Sequence, residues 1–116
     1  MSVDIAYEYT LKGESKDLAE FVEKTISEDT FNPETLGIEY PEYGDAINPL
    51  HAKEILENEI KEIKIYVWVV YRRQFENGCV EEDIYEAMKS QFPHLEVSYK
   101  EIESYLFDII QYQYQN

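Results

Sequence analysis

Ile63-Lys64-Ile65-Tyr66-Val67-Trp68-Val69-Val70-Tyr71 is the most apolar run in a chain of 116 residues, and its conformation decides the fold. It belongs to a longer stretch, Asn48 to Gly78, that opens on Asn-Pro and closes on Asn-Gly, with no glycine or proline from Leu50 to Asn77. Two periodicities compete in it. Leu56, Ile60, Ile63, Val67 and Val70 recur at steps of four, three, four and three, a helical stripe. The β-branched and aromatic residues of 63–71 equally suit a buried strand. The stripe crosses out of the charged first part without a turn residue, and Glu57 precedes Lys61 by four, the favourable order on a helix. A helix is therefore expected. About 28 residues at ~1.5 Å each would reach ~42 Å, long for a chain of this size, so a break near Glu62 is expected as well. Arg72 and Arg73 would then cap the negative end of the helix, or contact a phosphate, and Asn77-Gly78 would end it.

Upstream, Val3, Ile5, Tyr7, Tyr9 and Leu11 alternate with Asp4, Ala6, Glu8, Thr10 and Lys12, the period of a strand with one buried face. Such a strand needs a partner for its backbone groups. Gly13 ends it. Ser15 is placed to cap a helix that carries Leu18, Phe21, Val22 and Ile26 on one side. Residues 27–48 read as irregular. Asn32-Pro33 with Gly37 suggests one helical turn, Ile38 and Tyr40 suit a short edge strand, and Tyr40 to Asp45 reads as an exposed turn.

Downstream, Val80 to Phe92 predicts a helix with acids in its first turn, stopped by Phe92-Pro93. Ser98-Tyr99-Lys100-Glu101 matches a capping box, and Ile102, Tyr105, Leu106, Ile109 and Ile110 continue as an amphipathic stripe. The fold class is thus α+β in a single domain, 1–116. An N-terminal strand, or two, and a helix occupy 1–47 together with an acidic loop, and 48–116 is mostly helical. The element order over about 63–112 resembles a helix-turn-helix module. That resemblance would make Ser98–Leu106 a DNA-reading helix. Such a helix should offer Arg, Lys, Asn or Gln to bases and phosphates, whereas this one carries Glu101 and Glu103 with only Lys100.

The formal charge is −15, well beyond the magnitude of about 2–8 common for small soluble domains. A field of that sign repels nucleic acid and anionic lipid and attracts basic surfaces. Between Lys24 and Lys53 there is no base, while Glu28, Asp29, Glu34, Glu39, Glu42 and Asp45 fall there. With Tyr40 and Tyr43, these residues form the candidate partner-binding loop, since tyrosine supplies rigid contact area with a polar tip. A merely solvated loop, with both tyrosines folded back on the core, is the plain alternative.

No catalytic, cofactor-binding or metal-ligating pattern occurs. His51 and His94 lie far apart, Cys79 has no histidine at a motif spacing, and the four glycines form no phosphate loop. One cysteine and no signal-peptide pattern suggest the cytoplasm, and no run has the ~20 apolar residues of a membrane span. The function expected is non-enzymatic: docking on a basic protein partner, such as a nucleic-acid-processing enzyme or toxin, and inhibiting or neutralising it. In size and composition the chain is similar to toxin-neutralising immunity proteins and to phage- or mobile-element-encoded nuclease inhibitors. That resemblance implies a nucleic-acid mimic occupying a positive groove. A helix-turn-helix regulator, an enzyme and a self-associating subunit are the alternatives. In the last, Tyr66, Trp68 and the Tyr112–Tyr114 tail would form a homodimer contact.

Overall fold

The computed structural model describes residues 2–27, 30–38, 43–47, 51–72, 80–103, 105–106, 108–109 and 112; for 2–4, 30, 43–47, 69–72 and 80 it describes the backbone. The chain begins with strand β1 (Ser2–Lys12), as the alternation predicts, and helix α1 (Ser15–Thr25) follows. Next, β2 (Ile26–Ser27) pairs antiparallel with β3 (Thr30–Phe31) as a small hairpin. A 3-10 turn at Pro33–Leu36 then ends on Gly37. Gly37 has φ 84, the left-handed region in which glycine carries no Cβ penalty, as its place after the turn suggested. Next come β4 (Tyr43–Ile47), a six-residue helix α2 (Ala52–Glu57), β5 (Glu62–Arg72), α3 (Val80–Gln91) and β6 (Glu96–Ile102).

The expected helix from Asn48 to Gly78 does not form. Its first part supplies α2, and Ile63–Tyr71 lies within an eleven-residue strand. Pairing outweighs the stripe here. β1 has backbone groups to satisfy along its whole length, and β5 meets it residue for residue, from Lys12 opposite Glu62 to Ser2 opposite Arg72. The alternation inside β5 suits that role, since Ile63, Ile65 and Val67 are buried and Lys64 is exposed. Of the supposed stripe, Leu56 is 49% exposed. The break falls at Asn58–Lys61, where Glu59 takes φ 50. Three contacts pin it: the Gly13 N–H donates to the Lys61 carbonyl at 3.0 Å, the Ser15 hydroxyl to the Ile60 carbonyl at 2.8 Å, and the Lys61 ammonium to the Glu14 carboxylate at 2.7 Å. Ser15 is therefore a tie to this break, and Glu14 occupies the cap position without a side-chain hydrogen bond to the helix's own N–H groups. Lys61 pairs with Glu14 and Glu57 with Lys53, in place of the Glu57–Lys61 pair.

The helix predicted from Ser98 is likewise corrected. Its first residues belong to β6, with Val97 and Tyr99 on the inner face opposite Leu11 and Tyr9. Helical backbone resumes among the described residues at Tyr105, Leu106, Asp108, Ile109 and Tyr112. The second half is thus not mostly helical, and the helix-turn-helix order is lost. α3, however, ends at Phe92-Pro93 as predicted, with Ile84 and Met88 buried.

The main sheet has the order β4-β5-β1-β6, antiparallel throughout. With α1 between β1 and β4, and α3 between β5 and β6, this is the connectivity of a split β-α-β unit, elaborated by the small hairpin, the 3-10 turn and α2. One face of the sheet is covered. Tyr7, Tyr9, Leu11, Ile63, Ile65, Val67 and Val97 meet Leu18, Phe21 and Val22 of α1, Ile55 of α2, and Ile84 and Met88 of α3 in one core. Phe21 anchors the helix layer against Phe31 and Phe92, with ring centroids at 6.2 and 4.9 Å. The opposite face carries a smaller cluster of Ala6 and Tyr66, with Trp68 and Ile102 packed against it.

Candidate functional site

The partner-binding loop anticipated between residues 28 and 45 is only partly described. Glu34 is exposed on the 3-10 turn. Tyr43 and Asp45 belong to β4, an edge strand of the main sheet, so the exposed turn predicted for Tyr40–Asp45 is corrected at its second half. The cause is pairing with β5, which aligns Tyr43 with Val69 and Ala46 with Val67 across a register shift. Glu28, Asp29, Glu39, Tyr40 and Glu42 lie outside the described residues, as does Cys79. His51 and His94 are both exposed, and no group of three potential metal ligands occurs among the described residues.

The distribution of charge on the described surface is uneven. On the outer sheet face, read across β5, β1 and β6, successive rows are Glu62-Lys12-Glu96, Lys64-Thr10-Ser98, Tyr66-Glu8-Lys100 and Trp68-Ala6-Ile102. Three lysines meet three glutamates there. Lys12 lies 3.5 Å from Glu62, while Lys64 and Lys100 lie 3.6 and 3.8 Å from Glu8. Opposite charges on neighbouring strands are mutually stabilising, and the described side chains of this face are electrically balanced.

The excess of carboxylates falls elsewhere, most densely along α3. The helix carries Glu81, Glu82, Asp83 and Glu86 against one base of its own, Lys89 in its last turn. The first three also complement the positive end of the helix. α3 runs antiparallel to β6 after a short turn, so its first turn and the last residues of β6 lie at the same end of the sheet edge. Glu101, opposite Tyr7, stands on the face that α3 covers, and exposed Glu103 follows it.

Two half-buried tyrosines sit among these carboxylates. Tyr85 of α3 and Tyr99 of β6 approach to 5.1 Å between ring centroids, and Tyr99 stacks on Tyr9 at 5.4 Å. The Lys89 ammonium lies 4.8 Å from the centre of the Tyr85 ring. The Tyr9 hydroxyl donates to the Glu81 carbonyl at 2.7 Å, tying the start of α3 to a central strand. Burial, and then the nearby Glu81 charge, hold that hydroxyl well above the usual phenol range, so it stays protonated.

No protein-family model, curated protein or solved structure matches this chain. The fold carries no function by itself, so function has to be argued from this surface.

What the α3–β6 edge offers is a rigid pair of aromatic rings bordered by carboxylates on a helix and a strand. Such a surface can accept charge-assisted hydrogen bonds from lysine or arginine while the rings take up their apolar stems. Sequence reasoning named the acids of this helix as its first turn but did not join them to Glu101. That required knowing that β6 is a strand, and the alternation of Val97 and Tyr99 with Glu96, Ser98 and Lys100 was the available signal.

Proposed function

We propose that this protein is a small acidic binding module that docks on a basic protein partner and blocks the surface it covers. The observation that carries the proposal is the partition of charge among the described residues: a balanced sheet face, and an α3–β6 edge that gathers Glu81, Glu82, Asp83, Glu86, Glu101 and Glu103, with Lys89 as the one base of α3. The positive end of α3 accounts for Glu81, Glu82 and Asp83 but not for Glu86, Glu101 and Glu103. A partner whose basic groove normally tracks phosphates, such as a nucleic-acid-processing enzyme or toxin, fits the sign and spacing of such a surface. Inhibition would follow from occupancy of the groove, with no chemistry needed from the bound module. Glu34, exposed on the 3-10 turn, would add to the field of the same sign.

Electrostatic docking of this kind acts chiefly on the association rate and is screened by salt. The test is affinity capture from the source cell at low salt with the chain immobilised, followed by elution with a salt step. Basic proteins should be recovered by the wild type and largely lost with the triple variant Glu82→Gln, Glu86→Gln, Glu101→Gln. A control with Glu62→Gln and Glu96→Gln on the balanced face should capture as the wild type does. Equal capture by all three chains would exclude the α3–β6 edge as the docking surface.

A further inference from the structure

Leu56, Tyr105, Leu106, Ile109 and Tyr112 are the exposed large apolar side chains among the described residues. Four of these five, Tyr105, Leu106, Ile109 and Tyr112, have helical backbone and are 59%, 37%, 49% and 71% exposed respectively. Positions 105, 109 and 112 follow the i, i+4, i+7 spacing of one helix face, and 106 lies beside them. Of the amphipathic stripe read from the sequence, Ile102 belongs to β6 and Ile110 lies outside the described residues, while Tyr105, Leu106 and Ile109 are helical and exposed.

Charge identifies what can cover it. From Ser104 to Asn116 there is one ionisable acid, Asp108, and no base. A basic partner finds no carboxylate cluster here to pair with. Two copies of a chain of charge −15 repel one another over most of their surface, and the repulsion is weakest where ionised groups are sparse. The matching apolar stripe is on the second copy itself, as a two-fold contact requires. Tyr105 and Tyr112, at 59% and 71% exposure, supply most of the apolar area that such a contact would bury.

We infer that the C-terminal helical segment is a self-association surface, on which two copies of this chain pack Tyr105, Leu106, Ile109 and Tyr112 against the same residues of the other copy. The inference does not depend on the acidic edge. Because its attraction is apolar and its opposition is the mutual charge, salt strengthens it: shortening the Debye length from ~10 Å at 0.1 M to ~3 Å at 1 M removes repulsion and leaves burial intact.

Sedimentation equilibrium of the full chain tests this at 0.1 and 1 M salt. The wild type should be a dimer in the micromolar range, tighter at the higher salt. Ile109→Glu should raise the dissociation constant at least ~30-fold, the effect of losing one interface anchor of 2 kcal/mol. Tyr105→Glu should act in the same direction, and Leu56→Glu, on α2, should leave the constant unchanged. Ile109 and Tyr105 are about half exposed in one copy, so the variants should keep the wild-type far-ultraviolet circular dichroism and urea midpoint under conditions where all are monomeric. A wild type that sediments as a monomer at several hundred micromolar in 1 M salt overturns the inference. So does a dimer that neither Ile109→Glu nor Tyr105→Glu weakens.

Discussion

Replacing Tyr9 by phenylalanine should destabilise the protein at neutral pH and stabilise it above about pH 11. Tyr9 is fully buried in the central strand β1, stacked on Tyr99, and its hydroxyl donates to the Glu81 carbonyl at the start of α3. Phenylalanine keeps the ring and removes the oxygen. The Glu81 carbonyl lies within the helix and Glu81 is half-buried, so no deeply buried acceptor is stranded. The loss at pH 7 should then be that of one neutral hydrogen bond, about 1 kcal/mol. In alkali the order reverses. Burial and the Glu81 charge raise the phenol's folded pKa above its ordinary value of 10.0, and the unfolded chain titrates at that ordinary value. A raised folded pKa means a contribution fully present below ~10 and lost as pH rises further, at ~1.4 kcal/mol per pH unit once the unfolded phenol is ionised. Relative to Tyr9→Phe, the wild type should fall level between about pH 10.5 and 11 and be less stable by about 1 kcal/mol or more at pH 12. Urea unfolding of both chains from pH 7 to 12 measures the difference directly, and the other tyrosines, common to both, drop out of it. Parallel curves across that range would refute the claim that a buried, protonated Tyr9 clamps α3 to the sheet.

Three further outcomes follow from the packing. Ile65→Ala, at a fully buried position of β5, should cost about 2–5 kcal/mol by urea unfolding, and neighbouring Lys64→Ala should stay within ~0.5 kcal/mol, the two-residue period of a strand. Gly13→Ala should destabilise by about 1–2 kcal/mol, because a Cβ there would lie 2.7 Å from the Leu95 Cδ2 and 3.4 Å from the His94 carbonyl, forcing the buried Leu95 to shift. Glu14 and Glu20 are held below the ordinary carboxyl value of 4.5 by hydrogen bonds from Lys61 and Lys24. Their contribution is present above that value and fades as pH falls through the lower folded values, so Glu14→Gln with Glu20→Gln should flatten the acid limb of a stability–pH curve below about pH 4.5 and leave the curve's shape near neutrality unchanged.

The parts of the fold that were legible in the sequence are those where one local signal stands without a rival. β1 shows uninterrupted alternation, α3 has acids at its start and Phe92-Pro93 at its end, and Gly37 takes the left-handed conformation its position implied. β5 and β6 were obscured because a helical signal overlay a strand signal in each. In β5 the chance spacing of Ile60, Ile63 and Val67 with Leu56 imitated a stripe. In β6 a Ser-x-x-Glu match imitated a cap. Both ambiguities are resolved by β1. An eleven-residue central strand needs neighbours on both sides, and 62–72 and 96–102 are the segments whose inward residues can meet Tyr7, Tyr9 and Leu11. The candidate site followed the same limit. Its helical acids were visible, but their association with Glu101 and with the Tyr85–Tyr99 pair depends on long-range pairing that no local pattern encodes.

The strand assignments also explain why an acidic chain can be so uneven. In a sheet with one face buried, alternate residues are committed to the core, so Glu8, Lys12, Glu62, Lys64, Glu96 and Lys100 fall on one outer face, while Glu101 at the end of β6 is the exception on the covered face. Like charges opposite one another there would destabilise the sheet, and the observed rows alternate lysine with glutamate or serine instead. Balance on that face is thus required by folding, and it uses Lys12, Lys64 and Lys100. With those bases committed, the remaining acids on α3 and at the end of β6 are compensated by few others, whatever the origin of the overall charge. The C-terminal segment, with Asp108 alone, lies outside both regimes. One chain therefore presents a balanced face, a negative edge and a nearly uncharged apolar stripe. Docking through the negative edge weakens with salt and pairing through the apolar stripe strengthens with it, so the sign of the salt response alone assigns an observed complex to one surface or the other.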